Sequence, residues 1–368
     1  MKRVAVLTTH RANNFGAVLQ AFALVMAIKE LGAEGVILDW RCPHYEWLYH
    51  KAWRIYRNPL PALKRLRHFL FTENHARKLF AEFRDQMPLS EPIYRKRDLY
   101  KQEDFFDSFV VGSDQVWNPL NSAVSPRKFD RAYLLDFVED KDKKNAYAAS
   151  IGIDKIEPDD LVPEFVAAWK SFNRITMREY AGAKYVENMI KRPIQTVLDP
   201  VLLHDGDFWS KIARPSPDIQ KPYIFLYNVR NSEWLYEQAR LYSIKQNMEL
   251  VQVLVPGQTS VVDGQKVIMG PKEFLSAIQE AEVVFTNSFH ASAFSVIFSK
   301  PLYLHRRNTK CSPNTRIDTL MQNTSIAQKR YAAEAEDEIL FCDCVSTDRN
   351  KLNLLRGQSS ELLSSMIH

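Results

Sequence analysis

The sequence predicts an α/β protein made of two Rossmann-like domains facing a cleft. Three observations carry that expectation. Short apolar runs alternate with stretches of helical spacing, the grammar of a parallel sheet with crossover helices. The alternation stops at a polar break after Asp199-Pro200 and then restarts. The chain of 368 residues exceeds what one ordinary core organises, and apolar runs recur in both halves.

In the first half, residues 4–9 form an apolar run followed by the polar Arg11, Asn13 and Asn14. Val18, Phe22, Val25, Met26 and Leu31 then recur at three- and four-residue spacing up to Gly32, which predicts a helix. A second run, 35–40, completes a β-α-β unit, and further strands are expected at 108–112, 146–151 and 196–198. The second half restarts with a strand at 223–229, a helix at 233–246 and a strand at 250–255. A helix at 271–280, a strand at 283–287, a helix at 291–298 and a strand at 301–304 follow. The expected domains are 1–205, 206–345 and a C-terminal helix at 346–368, with ligands at the strand carboxyl ends in the crevice.

Bulk properties exclude several classes. Apolar residues make up 46% and charged residues 25%, which marks a packed protein rather than a disordered one. A net charge of +5 is too small to imply a nucleic-acid partner. Cys42, Cys311, Cys342 and Cys344 have no zinc-ligand spacing, so no metal is expected. The first apolar run is broken at His10 and Arg11 without a small-residue cleavage site, and no run approaches the roughly 20 residues that span a bilayer. A cytoplasmic protein is expected. Residues 45–78 stand apart, with Trp47, Trp53, Tyr56, Phe69 and Phe71 beside Lys51, Arg54, Lys64, Arg65 and Arg67. They read either as a helical insertion with a solvated basic face or as an element that meets anionic lipid at the inner membrane.

The candidate site residues fall where strands end. In HRANNFGAVLQ, Asn14 and Gly16 lie where a helix starts, with Gln20 one turn on, and free N–H groups there suit an anion or sugar. VVGSDQVWN offers Ser113, Asp114, Gln115, Trp117 and Asn118, the amide, carboxylate and aromatic groups that bind a pyranose. In TNSFH, Asn287, Ser288 and His290 form a polar cluster at a strand-helix junction, either a cap or a ligand site. Arg178 and Arg230 lie where new elements begin, Arg230 directly after the first strand of the second domain, and a guanidinium fork there can grip a carboxylate or phosphate. Asn314 and Arg316 form a further pair.

In order along the chain, NFGAVLQ, VVGSDQVWN, YAASIG, MREYAGAKYV, VLDPVLL and TNSFHASAFSVIFSKP resemble the polysaccharide pyruvyl transferase family, from residue 14 to residue 301. The resemblance implies a glycosyltransferase-B-like fold, with phosphoenolpyruvate as co-substrate and donor and a pyruvate ketal on a sugar as product. The family's second-domain histidine matches His290, and its arginine after that domain's first strand matches Arg230. Ser288 stands where many relatives carry arginine, which moves a donor-anion contact to Arg316 or Arg306.

Ketal transfer needs an acid for the methylene carbon, a base for the hydroxyls and fixed cations for the donor, with no redox cofactor or metal. His290, Arg230 and Asp114 are the expected catalytic residues. Arg230, His290, Arg178, Ser288, Asn287 and Arg316 are assigned to the donor, on the second-domain side. Asn14, Gly16, Gln20, Ser113, Gln115, Trp117 and Asn118 are assigned to the acceptor, a sugar that a polyprenyl diphosphate would carry. A nucleotide-sugar glycosyltransferase and a silent glycan-binding protein on the same fold stay open as alternatives.

Overall fold

The computed structural model describes residues 1–42, 74–119, 129–153, 155–156, 161–229, 231–253, 264–307, 314–334 and 337–368. In chain order the first half runs β1 (Arg3–Leu7), α1 (Phe15–Glu30), β2 (Glu34–Ile37), α2 (Asn74–Arg84), α3 (Lys96–Tyr100) and β3 (Ser108–Val111). It continues with β4 (Lys144–Ala149), α4 (Val162–Ser171), β5 (Arg174–Met177), α5 (Tyr180–Ile190) and β6 (Gln195–Thr196). The second half runs α6 (Gly206–Ser210), β7 (Tyr223–Tyr227), α7 (Glu233–Gln246), β8 (Glu249–Val253), β9 (Gln265–Val267), α8 (Pro271–Glu280) and β10 (Val283–Thr286). Then come α9 (Phe289–Ile297), β11 (Leu302–Arg307), α10 (Thr315–Thr324), β12 (Gln328–Glu334), β13 (Asp337–Cys342) and α11 (Arg349–Ile367).

The first sheet has the order β2-β1-β3-β4-β5-β6, and all its pairings are parallel. The second has the order β12-β13-β11-β10-β7-β8-β9, with β11 to β9 parallel and β12 and β13 forming an antiparallel edge. These are two Rossmann-like halves, as the restarting pattern predicts. In each sheet the strand order reverses once near the centre, between β1 and β3 and between β7 and β10. A crevice opens at such a point beyond the strand carboxyl ends.

The strands β5, β9, β12 and β13 escaped the sequence reading. RITM of β5 does alternate polar and apolar, but over four residues that alternation is too short to mark a strand. QKRYAAE of β12 is exposed along most of its length, because an edge strand needs only backbone pairing to β13.

One apolar core joins the halves. It takes in Val4, Val6 and Val110 from the first sheet together with Phe225, Tyr227 and Val284 from the second. At its centre Phe15 of α1 stacks on Phe274 of α8, with ring centroids 4.3 Å apart, and Phe80 of α2 packs on Phe15 at 5.0 Å. The end of the basic segment is therefore a helix wedged against the seam, with Ala76, Phe80 and Phe83 buried. Residues 43–73, most of that segment and its proposed lipid-facing part, lie outside the described residues. No described helix is long and apolar enough to cross a membrane.

The last helix returns to the first sheet. Ser108 Oγ and Asn145 Nδ2 donate to Met366 O, at 2.7 and 3.3 Å, and Leu198 N donates to Ser359 Oγ at 3.1 Å. This long helix ties the end of the chain to the half in which it began.

Candidate active site at the seam

Four strand ends of the first half deliver a carboxylate-rich cluster. After β1, Thr9 turns inward and its Oγ1 donates to Asp114 Oδ2 at 3.3 Å. After β3 the chain bends sharply at Gly112, where an added Cβ would lie 2.2 Å from Tyr147 O, so glycine is required. Asp114 itself has φ of 68°, a left-handed backbone that few non-glycine residues adopt. The turn aims its carboxylate at the end of β5. There Arg178, only 2% exposed, donates from Nη2 to Asp114 Oδ1 at 3.1 Å and from Nη1 to Asp199 Oδ2 at 2.7 Å. Asp199 follows β6 and caps the short turn Pro200–Leu202, accepting from Val201 N at 3.1 Å.

The second half supplies the other wall. Ser288 caps α9, its Oγ accepting from Ala291 N at 3.4 Å, and so fixes His290 in the first turn. The His290 Nε2 lies 3.6 Å from Asp199 Oδ2, a contact across the seam rather than a full hydrogen bond. Phe289 presents its ring to the Arg178 guanidinium, with 4.7 Å from Cζ to the ring centre. Gly16 of α1 closes the arrangement, since a Cβ there would fall 2.0 Å from His290 Nδ1. Gly16→Ala should therefore push the imidazole out of place, and with His290 as the expected catalytic residue turnover should fall by about tenfold or more. Steady-state kinetics beside a thermal melt check this; an unchanged rate would show that the ring position is immaterial.

Charge is set by these contacts. Burial alone would raise the Asp199 pKa, but the His290 ring and Arg178 outweigh it and hold the carboxyl well below the usual range. Asp114 is half-buried, and desolvation would raise it too, but Arg178, His290 and Arg316 hold it below its ordinary value. Glu179, beside Arg178 in sequence, goes the other way: burial pushes it up against the pull of Arg178 and Arg316. Its Oε1 accepts from Ser150 Oγ at 2.8 Å and from Ile151 N at 3.2 Å. Among the described residues, Arg178 Nε, Glu179 Oε2 and His290 Nε2 are buried and make no hydrogen bond. Unmet polar atoms in so dense a cluster favour a polar ligand that satisfies them.

A cavity of about 310 Å³ in the second half adjoins the cluster, lined by Trp234, Asn287, Phe289, His305, Arg316 and Asp337 among others. Phe289 and Arg316 belong to both, since Phe289 also covers Arg178 and the field of Arg316 reaches Asp114.

The structure brings together Asp114, Arg178, His290 and Gly16 from the sequence candidates and separates others. Trp117 is wholly buried, packed on Trp169 and Phe172 at 5.6 and 5.8 Å, so neither ring face is open to a sugar. Gln20 is also wholly buried, donating to Thr8 Oγ1 at 2.8 Å and Ala17 O at 2.9 Å; it braces α1 against β1 instead of touching an acceptor. Ser113 is buried and donates to Ala148 O and Asp199 Oδ2 at 2.9 and 3.2 Å, which positions the aspartate. Asn14 caps α1 by accepting from Ala17 N, and Asn118 donates to Gln115 Oε1 at 2.9 Å.

Asn287 bonds Val229 N and Asn228 Oδ1, both at 2.9 Å, and so shapes the loop after β7. Arg230, the next residue in that loop, lies outside the described residues. Arg306 is engaged by Asp318 and Glu338, so it does not offer a replacement donor contact. Asp199, Thr9 and Glu179 were missed. Asp199-Pro200 has the look of a turn, and only the junction of a strand end with a proline marks it in the sequence.

Solved structures similar to the chain include a UDP-GlcNAc 2-epimerase from Neisseria meningitidis bound to UDP-GlcNAc, at 11% identity and a TM-score of 0.48, covering 87% of this chain and 85% of that one. A UDP-GlcNAc 2-epimerase from Methanocaldococcus jannaschii has 11% identity and a TM-score of 0.45, covering 97% and 99%. An alpha-glucosyltransferase in complex with UDP and DNA has 9% identity and a TM-score of 0.47, covering 98% and 94%. No curated protein matches the chain at a significant level. The sequence model of one family, polysaccharide pyruvyl transferase, matches residues 14–304. That span takes in Gly16, Asp114, Arg178, Asp199 and His290, drawn from both halves onto one seam, and the chain belongs to the polysaccharide pyruvyl transferase family.

Proposed function

We propose that the protein transfers pyruvate from phosphoenolpyruvate onto two hydroxyls of a sugar in a glycan precursor, forming a ketal. The observation that carries this reading is the docking of His290, from the second half, 3.6 Å from the buried Asp199 of the first. An ionised aspartate beside an imidazole orients it for proton exchange. In the proposed reaction a proton is added to the methylene carbon of the donor and the central carbon becomes cation-like. One sugar hydroxyl adds there, phosphate leaves, and the second hydroxyl closes the ring.

His290 exchanges protons on the donor side of the seam. Asp114, ionised and open to the cleft on part of its side chain, takes the hydroxyl proton. Arg178 is spent on two carboxylates and keeps them charged and placed, while Arg230 and Arg316 are the cations proposed for the donor's carboxylate and phosphate. The acceptor then approaches along the first half, past Gln115 and Asn118.

The test is a screen of nucleotide-linked and lipid-linked sugars with phosphoenolpyruvate, read by phosphate release and product mass. A pyruvate ketal on the acceptor supports the reading. A hexose increment from a nucleotide sugar would replace it with glycosyl transfer. Asp114→Asn keeps the shape but removes the base, so kcat should fall by about a hundredfold with little change in acceptor KM. A loss confined to KM would make Asp114 a binding residue.

A further inference from the structure

The cavity beside the cluster is larger than the donor alone requires. It lies where the strand order of the second sheet reverses, between β7 and β10, the point at which open α/β sheets take their ligands. Ser232 and Trp234 reach it from the chain after β7, and Asn287 and Phe289 from the chain after β10. His305 comes from β11, and Asp337 opens β13, which runs antiparallel to β11 and so brings its first residue to the same end of the sheet. The volume of about 310 Å³ falls within the range of about 300–1,000 Å³ typical of small-molecule sites, whereas a three-carbon donor held at Arg316 would fill only one end.

The walls show what kind of molecule fits the rest. Trp234 is half-buried; it packs on the apolar cluster of Ile224, Leu226 and Phe285 and borders the cavity. The His305 ring meets it at 58°, with centroids 5.5 Å apart, and is fixed by the contact of its Nε2 with Asp337 Oδ1 at 3.0 Å. The two rings form an apolar corner, around which Glu233 and Asp337 supply carboxylates and Ser232 a hydroxyl. A pyranose has apolar C–H faces and a rim of hydroxyl groups, and such a corner matches both. Charge points the same way. Two carboxylates and one guanidinium line the cavity, so a diphosphate would meet more like charge than opposite charge, and a neutral ligand meets no such penalty. Glu233 is exposed, which leaves this side of the cavity open to solvent.

We propose that this cavity is a sugar subsite, with Trp234 as its platform, and that it holds the unit of the acceptor glycan next to the one that receives the ketal. That the glycan is an acceptor rests on the pyruvyl-transfer reading; that a pyranose binds here does not. Phe289 marks the border between the two positions, since it lines the cavity while its ring also covers Arg178, 4.7 Å from Cζ. A glycan crossing the seam at that ring places one sugar at Asp114 and its neighbour beside Trp234. The aromatic platform expected at Trp117, which is buried in the first half, is thus supplied from the second.

The experiment is saturation-transfer NMR on the full chain with the methyl glycosides of glucose, galactose, mannose and N-acetylglucosamine, with and without phosphoenolpyruvate. Wild-type protein is expected to bind at least one glycoside and to keep it when phosphoenolpyruvate is added. Trp234→Ala should weaken that glycoside about tenfold, while Trp234→Phe, which keeps a ring, should lose much less. Glu233→Ala alters an exposed residue and should also bind the glycoside more weakly, which decides the matter should Trp234→Ala fail to fold. Binding of none of the four glycosides, wild-type affinity in both alanine variants, displacement of the glycoside by phosphoenolpyruvate, or tighter binding of uridine than of any glycoside would each overturn the subsite. Binding is read without turnover. A failure here therefore leaves the chemistry at His290 standing, and a failure of ketal formation leaves the sugar subsite standing.

Discussion

His290→Ala is expected to lower turnover by about a hundredfold or more, the loss typical of removing a group that acts on the transition state. The ring is 7% exposed and lies against Gly16, Phe289 and Asp199. Its Nε2 makes no hydrogen bond among the described residues, so truncation leaves no donor or acceptor stranded in Asp199's other contacts. Stability should therefore change far less than rate. Phosphate release from phosphoenolpyruvate, measured beside a thermal melt, separates the two effects. A folded variant that keeps near-normal turnover would remove the imidazole from the chemistry.

Arg178→Met is expected to act on stability first. The guanidinium is the cation shared by Asp199 and Asp114, and breaking a buried pair from one side typically costs about 3–5 kcal/mol, because a charge is left without its partner. The pH dependence follows in sign. Both aspartates are held below their ordinary pKa, so they stabilise the fold above the usual aspartate range, and that stability is lost as pH falls through their folded values. Without Arg178 the loss on acidification should begin at higher pH, and adding Asp199→Asn should recover part of the stability at neutral pH. Denaturant titrations at several pH values test this. Equal stability of Arg178→Met and wild type at pH 7 would mean that the buried pair is replaceable.

The fold was legible wherever an element buries an apolar face. The helices at 233–246 and 271–280 match α7 and α8 end for end, and β10 and α9 lie within two residues of expectation. The edge hairpin was invisible because β12 buries almost nothing, and β5 because an alternation over four residues is too short to read as a strand. In the site, residue type and position identified Asp114 and His290, since a strand end followed by polar residues is readable locally. Asp199 was not readable in this way. Its role comes from three partners distant in sequence, Ser113, Arg178 and His290, and nothing near Pro200 announces them. Trp117 erred in the opposite direction: an aromatic beside polar neighbours fits a sugar platform, but it is wholly buried against Trp169 and Phe172.

The Phe15–Phe274 stack has a consequence for how the chain unfolds. Besides a core of its own in each half, one apolar cluster passes from the first sheet through this ring pair to the second, so the two halves share part of their packing. The α11 helix reinforces this by clasping the first sheet from the far end of the chain. The two halves should then melt in one cooperative transition, with calorimetric and van't Hoff enthalpies in agreement, instead of the two steps of loosely tethered modules. A cavity cut into the seam should then lower one shared midpoint instead of splitting the transition in two.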